Sequence, residues 1–440
     1  MILGGWGRFP IVDTQVETPR SLGELKNILA RGPVIARGNG RAYGDSAVSR
    51  QGTMQMHKLN RMLAFDERNG QLVAEAGVLL ADVIAAFLPR GWFPMVTPGT
   101  KLVTLGGMIA ADVHGKNHHK NGSMATSVDW IEIVDGAGQL RRTSRDQNTE
   151  LFEWTLGGMG LTGVIVRAAI RLRPVETGWI TQVTKAAPNL DAAMAIFEAA
   201  DTVTYSVAWI DCLAHGGALG RSLVMLGEHA SEVDLDAASR RDRFGTASRR
   251  NLAVPVVFPA NALNRLTMSA FNQLYYWNGA RKTDAQLVHW DSYFYPLDAI
   301  LHWNRIYGRH GFMQFQCVLP LEASKDGLTE LLREISAAGT GSFLAVLKRF
   351  GVQESRFSFP MLGYTLALDF PVTRTNLELM ERLDAITVAN GGRFYLAKDA
   401  RMRAETLTAS DPRTEDFRIM RSETDSKTHF RSVQSERLVL

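Results

Sequence analysis

The segment RGNGRAYGDSAV, residues 37–48, restricts the fold more than any other stretch of this chain. The apolar run PVIARG before it reads as a buried strand, so Gly38, Gly40 and Gly44 belong to a loop that a strand feeds. Glycines there let successive backbone N–H groups converge on a phosphate or pyrophosphate. The spacing is G-x-G-x-x-x-G, where a dinucleotide-binding Rossmann turn needs G-x-G-x-x-G, and no long helix follows to present its N-terminus. A doubly wound dinucleotide fold is excluded on both counts.

The rest of the first 175 or so residues agrees with that exclusion. SLGELKNILARG reads as a helix capped by Ser21, with Glu24 completing a capping box and Gly32 ending it. GQLVAEAGVLLADVIAAFLPRG reads as a strand and an amphipathic helix stopped by Pro-Arg-Gly. DWIEIVDGAGQLRRTS reads as a hairpin turning at Asp135-Gly136, and TGVIVRAAIRLRPV as an exposed antiparallel strand ending at Pro174. Short antiparallel strands with few helices indicate an α+β domain over 1–178. Beyond it, strands such as YSVAWIDCL, FMQFQCVLP and YTLALDFPV alternate with helical stretches, which indicates a second α+β domain over 179–391 with an antiparallel sheet. The polar segment 392–440 is too short to fold alone and is expected to complete the first domain.

Composition narrows the function classes. Lys plus Arg (49) barely exceeds Asp plus Glu (45), so nothing predicts nucleic-acid binding. The two cysteines, Cys212 and Cys317, form neither a disulfide framework nor a thiolate metal site and read as buried thiols. No basic and apolar leader and no run of about 18 apolar residues occurs, so the expected location is cytoplasmic or peripheral at a membrane. Residues 240–282 interleave basic clusters with apolar and aromatic side chains. They read either as a helix and loop packed on the core, or as a cover touching a membrane surface.

A second glycine segment, PGTKLVTLGGMIAADVHGKNHHKNGS, sets Gly99, Gly106, Gly107, Gly115 and Gly122 beside Thr100 and Thr104. Small residues there admit a flat ligand, and the threonines offer hydroxyls. His114, Lys116, His118 and His119 follow within six positions. Neighbouring histidines suggest a metal, but no carboxylate or cysteine joins them at ligand spacing and Lys116 would repel a cation, so no metal is expected. A third cluster, TLGGMGLTGVIV, marks another tight turn.

Taken in this order, RGNGRAYGDS, PGT…LGGMIAADVHGKNHH and GGMGLTGVIV resemble the FAD-binding domain of the vanillyl-alcohol-oxidase superfamily, whose FAD-binding domain is of the PCMH type. GWGRFP, HGKNHHKNGS, FYPLD, FLAVLKRFG, LDFPV and YLAKDAR narrow the resemblance to the flavoenzymes that oxidise a polyprenylphosphoryl-β-D-ribofuranose at C2. It runs nearly end to end. It implies a two-domain fold with FAD across the first domain, held by Arg37, Gly38, Asn39, Gly40, Arg41 and Ala42. The second segment would add Gly99, Thr100, Thr104, Gly106, Gly107, Ala111, His114, Gly115 and Asn117, and later segments Gly160, Gly163, Val164 and Tyr395. Lys398, Tyr43 and His114 are the implied catalytic residues, and Lys116, Gln314, Gln316, Lys348, Thr365 and Ala367 the implied substrate contacts.

Two positions depart from the family. Arg41 stands where many relatives carry a histidine bonded covalently to the flavin, so non-covalent FAD is expected. Ala367 and Thr365 stand where the family carries a cysteine and an asparagine; the cysteine is where covalent nitroaromatic inhibitors attach. The resemblance also implies a polyprenyl-phosphate-linked pentose as substrate and an NAD(P)H-dependent keto-sugar reductase as partner, the pair acting as an epimerase in arabinan and cell-wall biogenesis. Two alternatives stand beside it: an FAD-dependent oxidase of a soluble alditol or aldonolactone, and a lipid-binding or scaffold protein without redox chemistry.

Overall fold

In the computed structural model, residues 1–246, 252–254, 256, 265–282, 284–342 and 344–440 are described. Two large sheets organise the molecule. The first has six strands in the order Leu140–Ser144, Val128–Val134, Val164–Pro174, Gln71–Glu75 and Met62–Asp66, with Trp92–Pro94 also pairing on Val164–Pro174. The second is antiparallel throughout and has eight. Its order is Gln286–His289, Trp179–Ala187, Ser222–His229, Tyr205–Ile210, Ala345–Phe350, Gly363–Pro371, Phe312–Pro320 and Arg393–Phe394. The fold is α+β, of the two-sheet kind the vanillyl-alcohol-oxidase resemblance implies.

Three local expectations are corrected. Strand Val164–Pro174 is central, paired on both sides by Val128–Val134 and Gln71–Glu75, and mostly buried. Its apolar residues occupy both phases of the alternation, and Arg167 and Arg171 reach carboxylates of Glu132 and Asp129 at its margin. The hairpin after Val134 turns over five residues, closed by the Asp135 N–H bond to the Gln139 carbonyl (3.0 Å), and its left-handed residue is Gly138 (φ +73°), with Gly136 in ordinary backbone. The strands within residues 1–178 are also not all antiparallel. Val16–Glu17, Thr53–Gln55 and Ile35–Arg37 form a small parallel sheet that delivers the chain into the first glycine loop.

Helix Leu22–Leu29 follows the N-cap Ser21, whose hydroxyl accepts from the Glu24 N–H (3.2 Å). The Glu24 carboxylate accepts from the Arg20 N–H, one residue earlier than a capping box requires. The C-terminal segment packs against the first glycine loop and its strand. Val34 bridges Phe430, and the Arg437 guanidinium binds Asp45 and Asp399, each at 2.7 Å. Cys212 and Cys317 are free and buried. Helix Arg265–Ala280 lies over strands Trp179–Ala187 and Ser222–His229, anchored where Asn272 donates to the buried Asp211 carboxylate (2.6 Å). Residues 247–251, 255 and 257–264 of the basic and aromatic stretch lie outside the described residues.

Candidate active site

The glycine segments interlock because they are built on each other. After strand Ile35–Arg37 the chain turns through Gly40 (φ +64°), and Asn39 donates to the Leu102 carbonyl (2.7 Å). A Cβ on Gly38 would run into the hydroxyl of Thr104, the N-cap of helix Leu105–Ala110. The third cluster closes on that helix through the Met159 N–H to the Ala110 carbonyl (2.8 Å). Ahead of the loop, the N–H groups of Trp6 and Gly7 bond the carbonyls of Ala42 and Tyr43 (2.8 and 3.0 Å).

Between these loops and the eight-stranded sheet runs a cleft of about 530 Å³. Of the residues expected at a site, it is lined by Gly38, Asn39, Gly40, Arg41, Ala42, Tyr43, Gly99, Thr100, Thr104, Gly106, Gly107, Ala111, His114, Gly115, Lys116, Gly160, Gly163, Gln314, Gln316, Lys348, Ala367, Tyr395 and Lys398. Four others do not line it. Arg37 turns back to the carbonyls of Gly4 (2.8 Å) and Ala47 (3.3 Å). Asn117 is buried behind the His114 loop, donating to Met95 and Asn121. Val164 packs in a core cluster with Val34 and Met54. Thr365 donates to the Cys317 carbonyl (2.8 Å) and braces Gln316 from behind (3.3 Å).

Strand register explains which side chains meet. Gln314 pairs with Asp369, Gln316 with Ala367, and Lys348 with Thr365, so these residues share one sheet face. From the opposite wall, His114 Nε2 lies 3.1 Å from Gln316 Nε2, and its buried Nδ1 has no partner among the described residues. The histidines of HGKNHH then separate: His118 binds Gln353 and His119 the Val203 carbonyl. Among the described residues no group of three or more His, Cys, Asp or Glu is placed to hold a metal.

Lys398 arrives from the loop after strand Arg393–Phe394 and sets its ammonium over the Tyr43 ring, 3.8 Å from the centroid. The Tyr43 N–H bonds the Ala397 carbonyl (2.9 Å), and the Tyr43 ring meets the edge of Phe312. Lys116 donates to the Tyr293 carbonyl and lies 4.1 Å from that ring. Burial dominates the electrostatics. It lowers Lys348 to about 7, with Lys398 adding repulsion, and Lys116 to about 7, with Lys348 adding repulsion. Lys398 falls less, to about 8, because Asp369 opposes the desolvation. His114 is held well below its ordinary value by burial and by Lys348, and so stays neutral.

Sequence reasoning gave no role to Trp6, Asp298, Tyr293, Trp303 or Asp369. Arg41 stacks on Trp6 at 4.1 Å, and Asp298 accepts from the Thr100 hydroxyl (2.7 Å) and the Lys101 N–H (2.8 Å). Trp6, Asp298 and Asp369 sit in GWGRFP, FYPLD and LDFPV, motifs that carried resemblance without chemistry. The walls fit a flavin nucleotide: Gly99 faces open space, and the buried Arg41 Nε, Thr97 Oγ1 and His114 Nδ1 of the lining residues have no partner among the described residues.

Interlocked glycine loops facing an antiparallel sheet define a flavin-binding oxidoreductase. A family profile described as "FAD binding domain" matches residues 14–144. Over its whole length the chain is 35% identical to "Decaprenylphosphoryl-beta-D-ribose oxidase" of Mycolicibacterium smegmatis, covering 97% of that protein. It is also 35% identical, over 82% of its length, to an uncharacterized Streptomyces coelicolor protein, of which 99% is covered. "L-gulonolactone oxidase" of Mus musculus is 27% identical over 40% of the chain and 41% of its own. The chain belongs to the FAD-binding PCMH-type oxidase family and is an FAD-linked oxidase.

Proposed function

We propose that this chain oxidises the C2 hydroxyl of a polyprenylphosphoryl-β-D-ribofuranose to the 2-keto sugar. This would be the first half of an epimerisation that an NAD(P)H-dependent keto-sugar reductase completes. The observation that carries the reading is the division of the cleft wall. Three half-buried lysines, Lys116, Lys348 and Lys398, line the cleft close enough to repel one another, while Val207, Trp209, Met225, Tyr275, Leu344 and Val346 line an apolar stretch beside helix Arg265–Ala280. A phosphate with an apolar tail matches both, whereas a free alditol uses only the first. The full-length likeness to a protein named for this kind of substrate agrees.

In this reading residues 1–178 and 392–440 hold FAD and 179–391 the substrate. Bound FAD supplies the hydride acceptor. Lys116 and Lys348 attract the phosphate, Gln316 and neutral His114 orient hydroxyls, and the Lys398 ammonium stabilises negative charge that develops beside it. FAD is held without a covalent link, since Arg41 cannot form one and its guanidinium is stacked on Trp6. Acid precipitation should therefore leave the protein colourless and the flavin in the supernatant. Helix Arg265–Ala280 exposes Leu274 and Trp277, and 265–282 contains Arg265, Arg281 and Lys282 but no acidic residue, which suits peripheral contact with an anionic membrane. Among the described residues no helix is long and apolar enough to cross one.

Anaerobic mixing of the flavin-loaded protein with polyprenylphosphoryl-ribose should bleach the flavin. Bleaching by soluble alditols or aldonolactones, with none by the lipid-linked sugar, would overturn the reading in favour of the soluble-substrate oxidase.

A further inference from the structure

Thr365 is buried behind the cleft wall, two residues before Ala367 and so diagonal to Gln316 across strands Gly363–Pro371 and Phe312–Pro320. Its Oγ1 carries a single proton. The Cys317 carbonyl, which can only accept, is the closer partner (2.8 Å) and takes that proton. Towards Gln316 the hydroxyl then has only a lone pair to offer, so the amide turns Nε2 to it (3.3 Å). The reversed amide would set its carbonyl oxygen against the Thr365 oxygen with no proton between them. The second N–H of Nε2 is left for His114 Nε2, 3.1 Å away. A donor there needs a lone pair on that ring nitrogen, and a neutral imidazole must then carry its proton on Nδ1. Among the described residues nothing competes at the other end of the ring. His114 packs against Phe350, Phe359 and Tyr395 (4.8, 5.6 and 5.0 Å between centroids), and the Tyr395 hydroxyl donates to the Ala111 carbonyl (3.1 Å). The buried Nδ1 has no partner among the described residues, so the tautomer is decided at Nε2.

We propose that Thr365 is a positioning residue for the oxidation: through the amide of Gln316 it fixes His114 as the Nδ1–H tautomer. In that form neither ring nitrogen can take a proton from the alcohol. Nδ1 already bears one, and the Nε2 lone pair is engaged by Gln316. His114 is therefore a hydrogen-bond donor in the cleft wall and not the base. The same chain of bonds turns the Gln316 carbonyl oxygen away from Thr365 and His114, which makes it the acceptor this residue offers to a sugar hydroxyl. The inference rests on the active site assigned above, but not on the identity of the sugar.

The test is nitrogen NMR of the flavin-loaded protein carrying 15N-labelled histidine, at alkaline pH where a histidine is neutral in any setting. The His114 signals are assigned by their loss in His114→Gln or His114→Phe. In the unsubstituted protein Nδ1 should show the shift of a protonated ring nitrogen and Nε2 that of a bare one. The reverse pattern would overturn the proposal whether or not any Thr365 variant folds. Thr365→Val keeps the shape and removes the oxygen, so the Gln316 amide is free to turn and an Nε2–H pattern should appear. Thr365→Ser retains the hydroxyl and should show the Nδ1–H pattern alone. A folded Thr365→Val that also shows the Nδ1–H pattern alone would overturn the proposal. These spectra are taken without substrate, so a wrong sugar leaves them unchanged and the two readings fail separately.

Discussion

At the scale of single residues, the charge of Lys398 and its seat on Tyr43 are what the proposed chemistry depends on. Lys398→Ala removes the cation and its contact with the Tyr43 ring but leaves the backbone bond from Tyr43 to Ala397 in place. Substrate-driven flavin reduction should fall about 100-fold or more, with flavin content unchanged; full-rate reduction would remove Lys398 from the mechanism. Ala367 makes a second test. It lines the cleft opposite Gln316 and has no thiol, so a nitroaromatic inhibitor that captures a cysteine should add no mass to this protein. Ala367→Cys should gain the adduct, read by intact mass spectrometry. The resemblance pointed to fewer than half of the lining residues by number, and it passed over Asp298 in the lining and Asp369 beside it. A carboxylate paired with a glutamine is placed by strand register and burial, and neither is written in a motif.

At the scale of elements, close approach of backbones sets the tolerances. A Cβ on Gly44 would strike the carbonyl of Asp399 and the backbone of Ala400, just where the first glycine loop meets the loop carrying Lys398. Gly44→Ala should cost about 1–3 kcal/mol, seen as a lower Tm, and should weaken FAD retention because Tyr43 and Ala397 are bonded next door. The amphipathic helix Leu321–Ala338 and the mostly apolar run Phe312–Pro320 were legible in the sequence. Strand Val164–Pro174 was assigned to the surface because its alternation was read for one face. A strand covered on both faces loses that alternation. Sheet order was not legible at all: Phe312–Pro320 lies between Gly363–Pro371 and Arg393–Phe394, a pairing that no local pattern encodes.

At the scale of the whole molecule, burying lysines ties stability to pH. Lys116 and Lys348 have folded values near 7, far below the ordinary 10.5. Between those limits the unfolded chain binds more protons than the folded one, so stability rises with pH by about 1.4 kcal/mol per unit for each group well inside the window. The buried thiols Cys212 and Cys317, raised to about 12 from 9, oppose this once their unfolded forms ionise above pH 9. Tm should therefore climb by several degrees between pH 7 and 9, and Lys348→Met should flatten the climb. Arg437 ties the C-terminal segment to the buried carboxylates of Asp45 and Asp399. Its loss in Arg437→Ala removes the ion-pair partner of both, though Asp399 keeps bonds from Gln434 and two backbone N–H groups, and should cost about 3–5 kcal/mol, measured by urea denaturation.

The bond from the Tyr43 N–H to the Ala397 carbonyl joins two stretches separated by most of the chain. Such a contact forms late, because the intervening polymer must first be ordered. During synthesis on the ribosome, the first glycine loop emerges early, long before Tyr395, Ala397 and Lys398, which line the same cleft. The wall of the cleft is thus complete only once Lys398 has been made, and a nascent chain stalled before it would lack that part of the wall.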